Sequence, residues 1–264
     1  MEVSFKHNGK KYRYTAPDGL AEMTAKQWVE WHRCLYVVGS RMMLFEVIWG
    51  MPVQVVDLLE DEMKADILFL TEQLEHIEVL PSKWMMPELF GLVGPDDLLT
   101  NLVFEEWMFA DKFCEGFLET GDLIQGRKFL AAIYREKVGQ EQYEYHGDWR
   151  VGFRKNDIEV RLKKFEKADY ATIRAIANNW IGCKQEFKEI FPYVFRGNNE
   201  GVDAVKKNFS WLDVGLSMVE DNPVEFLELE KTSFFLVMKA LDNKIKKDDE
   251  MKEKMEEQKR KNSK

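Results

Sequence analysis

The chain has 264 residues, with 38 basic and 47 acidic side chains and a net charge of −9. Hydrophobic residues make up 45% and aromatics 13%, including eight Trp and 18 Phe, which supplies a core and excludes global disorder. An acidic protein repels a phosphate backbone, so nucleic acid is not the expected partner.

The longest charge-free run, Val47 to Val56, is far short of the roughly 20 residues a membrane helix needs. The opening MEVSFKHNGKK lacks an apolar signal core, and Cys34, Cys114 and Cys183 are too few and too scattered for a disulfide framework. A cytoplasmic location with no membrane contact is therefore expected.

In chain order, residues 1–19 form the first element. Val3 and Phe5, then Tyr12 and Tyr14, alternate around His7-Asn8-Gly9-Lys10, which predicts a β-hairpin. Residues 20–241 read as a helical domain. Thr24 and Gln27 form a T-x-x-Q capping box, with Met23 and Trp28 placed as a hydrophobic staple. Trp28, Trp31, Leu35 and Val38 then mark one buried helix face, interrupted at Gly39. A second helical run, Met42 to Trp49, stops at Gly50 and Pro52.

Three cleaner stripes follow. Met63, Ile67, Leu70, Leu74 and Ile77 repeat beneath an acidic face; Val103, Trp107, Ala110, Cys114 and Phe117 form a second stripe. Ile173, Ile176, Trp180, Cys183, Phe187 and Ile190 form a third, which Pro192 ends. All three read as core, and Cys114 and Cys183 as small buried hydrophobes.

Gly139 to Gly147 reads as a loop, with a possible subdivision of the domain near 136–150; the alternative is an extended hairpin running to Trp149 and Phe153. Arg196 to Gly201 reads as a second link. Asn222-Pro223-Val224-Glu225 is a helix start, and Phe234, Met238, Leu241 and Ile245 stripe the last helix. Residues 242–264 carry nine basic and seven acidic side chains and read as a charged tail, a frayed helix or disordered. The fold class expected is mainly α: eight or nine helices in an irregular bundle with a small N-terminal β-hairpin.

No catalytic, cofactor or metal residues stand out. His32 and Cys34, one residue apart, sit about 200° apart on a helix and cannot share an ion. His76 reads as a surface residue. Gly121 to Lys128 resembles a phosphate loop, but Arg127 and Lys128 stand where lysine and a hydroxyl are required. Asp96 and Asp97 after Pro95 read as helix-start acids, and Glu105-Glu106 as a chance pair. Residues 127–167 hold 11 basic and seven acidic side chains, a mild excess that reads as solvated surface.

The segment richest in interface-type residues contains Tyr143, Tyr145, Trp149, Arg150, Phe153 and Arg154. Tyr, Trp and Arg bury large areas with polar tips, so this segment is the candidate protein-binding surface. The competing reading is a hairpin whose aromatics fold back on the bundle.

The order of segments resembles phage-encoded tail-assembly proteins, the group that includes chaperones of the tape-measure protein. The resemblance is carried by Phe5-Lys-His-Asn-Gly-Lys-Lys-Tyr12 before Met23-Thr-Ala-Lys-Gln-Trp28, and by Gly94-Pro-Asp-Asp-Leu98 with Asn101-Leu-Val-Phe-Glu-Glu106. Phe129-Leu-Ala-Ala-Ile-Tyr-Arg135, Phe209-Ser-Trp211 and the lysine- and glutamate-rich tail complete it. It implies a non-enzymatic assembly factor that binds and shields a structural protein of a phage tail or other virion part. The alternatives are a structural virion component and a helical enzyme whose site assembles only in three dimensions.

Overall fold

The computed structural model describes residues 1–38, 41–77, 79–141, 147–196 and 210–262. It is mainly α, as expected. Strands β1 (Glu2–His7) and β2 (Lys10–Thr15) pair antiparallel, with Phe5 opposite Tyr12 and Val3 opposite Tyr14. Asn8 and Gly9 both take positive φ, 48° and 76°, the pair of angles a two-residue turn of this hand requires.

Helix α1 (Ala25–Arg33) begins at the Thr24–Gln27 capping box, both halves of which form. Such a cap contributes about 1 kcal/mol. A π-helical turn, Cys34–Val38, continues it. Short helices α2 (Met43–Val47) and α3 (Val53–Val56) flank Gly50 at φ 63°.

Helix α4 (Asp61–Glu72) departs from its expected stripe. Ile67 and Leu74 are buried but Leu70 is 38% exposed, and Thr71 takes the inward position instead. Its hydroxyl donates to Ile67 O at 2.7 Å and accepts from Trp49 Nε1 at 2.9 Å, so a polar residue satisfies a buried indole there.

Two-residue strands β3 (Glu88–Leu89) and β4 (Leu92–Val93) form a second hairpin. Helices α5 (Phe104–Thr120) and α6 (Leu123–Ile133) then form an antiparallel pair. Gly121 closes α5 at φ 70° and Asp122 caps α6 through Ile124 N–H. This helix pair occupies the stretch that resembled a phosphate loop.

Helices α7 (Asp157–Leu162), α8 (Tyr170–Ile190), α9 (Trp211–Met218), α10 (Pro223–Lys231) and α11 (Phe234–Asn262) complete the order. The eleven helical segments among the described residues exceed the eight or nine expected, because α2 and α3 are separate pieces of four or five residues. The charged tail is helical to Asn262, with almost every side chain beyond Asp249 exposed. Gly39, Tyr143, Tyr145 and the Gly197–Gly201 part of the second link lie outside the described residues.

Apolar side chains gather in two clusters. One holds Phe5 through Met85 together with Ala175; the other runs from Trp84 to Met238. Helix α8 joins them. On one side Trp180 stacks on Trp107 at 4.9 Å, and Trp107 on Phe234 at 4.2 Å. On the other, Trp28 Nε1 donates to Ala175 O at 2.8 Å and Asn178 meets His32 Nε2 at 2.8 Å. Asn179, 2% exposed, holds the 81–85 segment through Pro81 O, Lys83 O and Met85 N–H. Gly182 lets the helix pass directly against the Pro81 carbonyl, where a Cβ would overlap it.

Candidate functional site

The most unusual chemistry lies at the N-terminal end of α5. The face marked by Val103, Trp107 and Ala110 also carries Glu106, which is fully buried. Its Oε2 accepts from Arg135 Nη2 at 2.8 Å and its Oε1 from Arg150 Nη1 at 2.9 Å. Asp148 accepts from both arginines, at 3.2 Å from Arg135 and 3.0 Å from Arg150. Two guanidiniums and two carboxylates thus balance in a nearly dry site.

Local structure explains the placement. Arg135 follows the last turn of α6 and pairs its backbone with Val93 at 2.8 and 2.9 Å. The chain then runs extended, and Val138 N–H to Trp149 O and Val151 N–H to Glu136 O join it to a returning arm. Only the ends of the region pair in this way: Gln140 and Glu141 are helical, and residues 142–146, where the hairpin alternative would turn, lie outside the described residues. Arg150 on that arm donates to Ile133 O at 3.0 Å, and Arg161 donates to Ala131 O at 2.9 Å. Both satisfy carbonyls at the negative end of α6.

Arg150 uses every one of its donor nitrogens: Nε on Asp148, Nη1 on Glu106 and Ile133 O, Nη2 on Asp148 and Asn101 O. Burial works against its cation, yet Glu106 and Asp148 hold its pKa above the ordinary value. For Arg135 burial wins, and the pKa falls to about 10. Burial likewise lifts the Glu106 carboxyl, against the pull of the two arginines.

These positions correct two expectations. Arg135, Arg150 and Arg161, at 2–3% exposure, are not solvated surface, so much of the basic excess over 127–167 is internal. Glu106 is no chance surface acid, whereas Glu105 pairs with Lys155 at 3.5 Å. Asp96 and Asp97 do stand at a helix start, as N-cap position and first residue of a short 3-10 helix, and Asp97 has a further task. It accepts from Trp84 N–H at 2.8 Å beside a 3-10 turn, Asp97–Leu99.

Above this network opens a cleft of about 740 Å³. Asp96, Asn101 and Val103 line one side, the arm from Gly147 to Arg154 another, and Lys231 and Ser233 a third. Of the proposed contact residues, Arg150, Phe153 and Arg154 line the cleft. Arg150 is its clamped floor rather than a free contact, because Glu106 and Asp148 immobilise it. Phe153 is half-buried, 6.2 Å from the Phe109 ring, and Arg154 is exposed. Trp149 is half-buried, with Lys137 Nζ 5.3 Å from its ring centre. Phe153 thus partly folds back on α5, while Arg154 is exposed at the cleft.

A second buried acid, Asp111, accepts from Trp180 Nε1 at 3.0 Å, Trp211 Nε1 at 2.9 Å and Lys184 Nζ at 2.7 Å. Burial pushes the thiols of Cys34, Cys114 and Cys183 upward, Cys183 to about 12, which disfavours the thiolate. Among the described residues no three His, Cys, Asp or Glu side chains group to hold a metal, and no helix is long and apolar enough to cross a membrane.

Sequence periodicity held a signal for both buried acids. Glu106 is three residues after Val103 and four before Ala110, and Asp111 is four after Trp107 and three before Cys114. An acid on an apolar stripe is expected to be paired. Comparison of the chain with family models, curated proteins and solved structures finds no match.

Proposed function

We propose that the protein is a non-enzymatic assembly factor that binds and shields a segment of a structural partner protein. The observation that carries the reading is the arm of residues 147–154. The Glu106–Arg150 clamp fixes its base, which leaves Phe153 and Arg154 presented at the side of an open cleft. Preorganised aromatic and arginine side chains are what interface hot spots use, since little entropy remains to be lost on binding.

The order of segments that resembles phage tail-assembly proteins supports a tail or other virion protein as that partner. The long solvated end of α11 supports a role in keeping a complex soluble.

The test is capture of the tagged full chain from its host during phage production or prophage induction, with mass spectrometry of the eluate. A long helical tail protein absent from an untagged control is the expected result. Trp149→Ala with Phe153→Ala should weaken its retention while the circular dichroism spectrum stays unchanged. A clean eluate, or retention indifferent to both substitutions, overturns the reading.

A further inference from the structure

Two helix faces on the surface match in length and oppose each other in charge. On α4, Ile67 and Thr71 turn inward, while Phe69 stands 63% exposed in the middle of the outer side. Ala65 and Gln73, four residues to either side of it, are exposed as well, and so are Glu62 and Asp66, seven and three residues before it. Asp61 and Glu72 have partners in Lys64 and Arg41, whereas Glu62 and Asp66 make no ion pair among the described residues. An aromatic ring rimmed by uncompensated carboxylates fits apolar side chains flanked by cations.

The end of α11 is such a surface. Every described side chain from Met251 to Asn262 is exposed. Met251 and Met255, at 53% and 55%, share one side of the helix. Lys247 and Lys254 flank Met251 at four- and three-residue spacing, and Lys259 and Lys252 flank Met255 likewise. Asp248 is the one acid on that side, because Asp249, Glu250, Glu253, Glu256 and Glu257 fall on the other. The helix end therefore presents a basic, methionine-bearing stripe, in a chain whose net negative charge lies in residues 1–241.

We propose that the end of α11 in one copy of the chain lies along the outer side of α4 in a second copy, with Met251 and Met255 on Phe69 and the lysines toward Glu62 and Asp66. Methionine sulfur against an aromatic ring is a favourable contact, and each face runs for about 20 Å. Helix α11 is unbroken and both faces are exposed within a single chain, so a second copy is what brings them together. Two helix faces of this length make a small interface, under about 1,200 Å². The copies therefore join at high concentration and separate at the dilution of a thermal melt. None of these residues lines the cleft, so the contact stands independently of the assembly reading.

Sedimentation of the full chain from about 5 to about 500 μM, at low salt and at about 0.5 M salt, tests the contact. The weight-average mass should rise with concentration at low salt and far less at high salt. Phe69→Ser, at an exposed position, should weaken the association about tenfold and leave the circular dichroism spectrum unchanged. Glu62→Lys with Asp66→Lys should abolish association, and so should Lys252→Glu with Lys254→Glu. An equimolar mixture of these two variants should associate again, because the unaltered α11 end of the first meets the unaltered α4 of the second, and reversed meets reversed. A monomer mass at every concentration, association indifferent to Phe69→Ser, or a mixture that stays monomeric overturns the proposal. Capture of a monomeric chain by phosphatidylserine vesicles, lost with Lys252→Glu and Lys254→Glu, would overturn it too and assign the stripe to a lipid surface.

Discussion

Glu106 and Arg150 stand 44 positions apart in the chain and meet at 2.9 Å with neither side chain exposed. This contact fastens the end of α6, the start of α5 and the returning arm to one another. Removing one member leaves the others charged and unpaired in a low-dielectric site. Glu106→Gln should therefore cost about 3–5 kcal/mol of stability, the scale for breaking a buried pair. Lys155→Ala, at the exposed neighbouring pair with Glu105, should cost under about 1 kcal/mol. Urea unfolding midpoints of the two variants would decide it, and equal small losses would refute the clamp.

His32 supplies a pH dependence. Burial lowers its pKa from 6.5 to about 4, while its ring bonds Trp28 O at 2.7 Å and Asn178 at 2.8 Å. Between these values the unfolded chain takes up a proton that the folded chain refuses. Stability from this residue is thus complete above pH 6.5 and lost as pH falls toward 4. The full loss is about 3 kcal/mol, and His32→Gln should flatten that part of the stability profile. Parallel profiles for the two proteins between pH 4 and 6.5 would show that His32 contributes nothing.

Asp111 ties α5 to α8 and α9 through two indoles and one ammonium. Asp111→Ala orphans these donors and should destabilise by about 3 kcal/mol. Trp211, reached only through α9, should show a red-shifted emission if its indole is released. An unshifted spectrum in the background of other Trp→Phe substitutions would show that packing alone holds it.

At Gly182 the Pro81 carbonyl occupies the space a side chain would need. Gly182→Ala must push the 80–85 segment off α8 or bend the helix, at a cost of about 1–3 kcal/mol. Gly139→Ala, where a Cβ meets nothing within 4 Å, is the matched control. Thermal melts that rank the two alike would contradict the close approach.

Beyond Glu250 the described side chains of α11 are exposed. A chain ending at Glu250 should lose helical signal yet keep its melting temperature, because solvated i,i+4 pairs contribute only tenths of a kcal/mol each. A lowered melting temperature would mean that this end of the helix packs against something.

The elements most legible in the sequence were those set by local chemistry. The Asn8-Gly9 turn, the Thr24–Gln27 box, the Asn222-Pro223 start and the stop before Pro192 all depend on residues within a few positions of each other. Stripes such as Trp107, Ala110, Cys114 and Phe117 were equally clear, because helical period alone fixes which residues share a face. Leu70 shows the limit of that logic. Period brings it to one side of α4, but Trp49 required a hydroxyl acceptor, and the helix turned Thr71 inward.

The cleft belongs to the other category. Of the residues proposed for binding, Arg150, Phe153 and Arg154 do converge there, but composition alone could not assign Arg150 to a clamp and Arg154 to the wall. Nor could it separate Glu106 from Glu105, adjacent acids with opposite fates. The sequence by itself determined the mainly helical class, the hairpin, the caps and most core faces, because propensity, turn chemistry and period act over short distances. Only the tertiary structure decided which charges are buried and paired, and where a cleft opens. Those outcomes depend on contacts such as Glu106–Arg135 and Asp111–Lys184, 29 and 73 positions apart, and no local pattern encodes their distances.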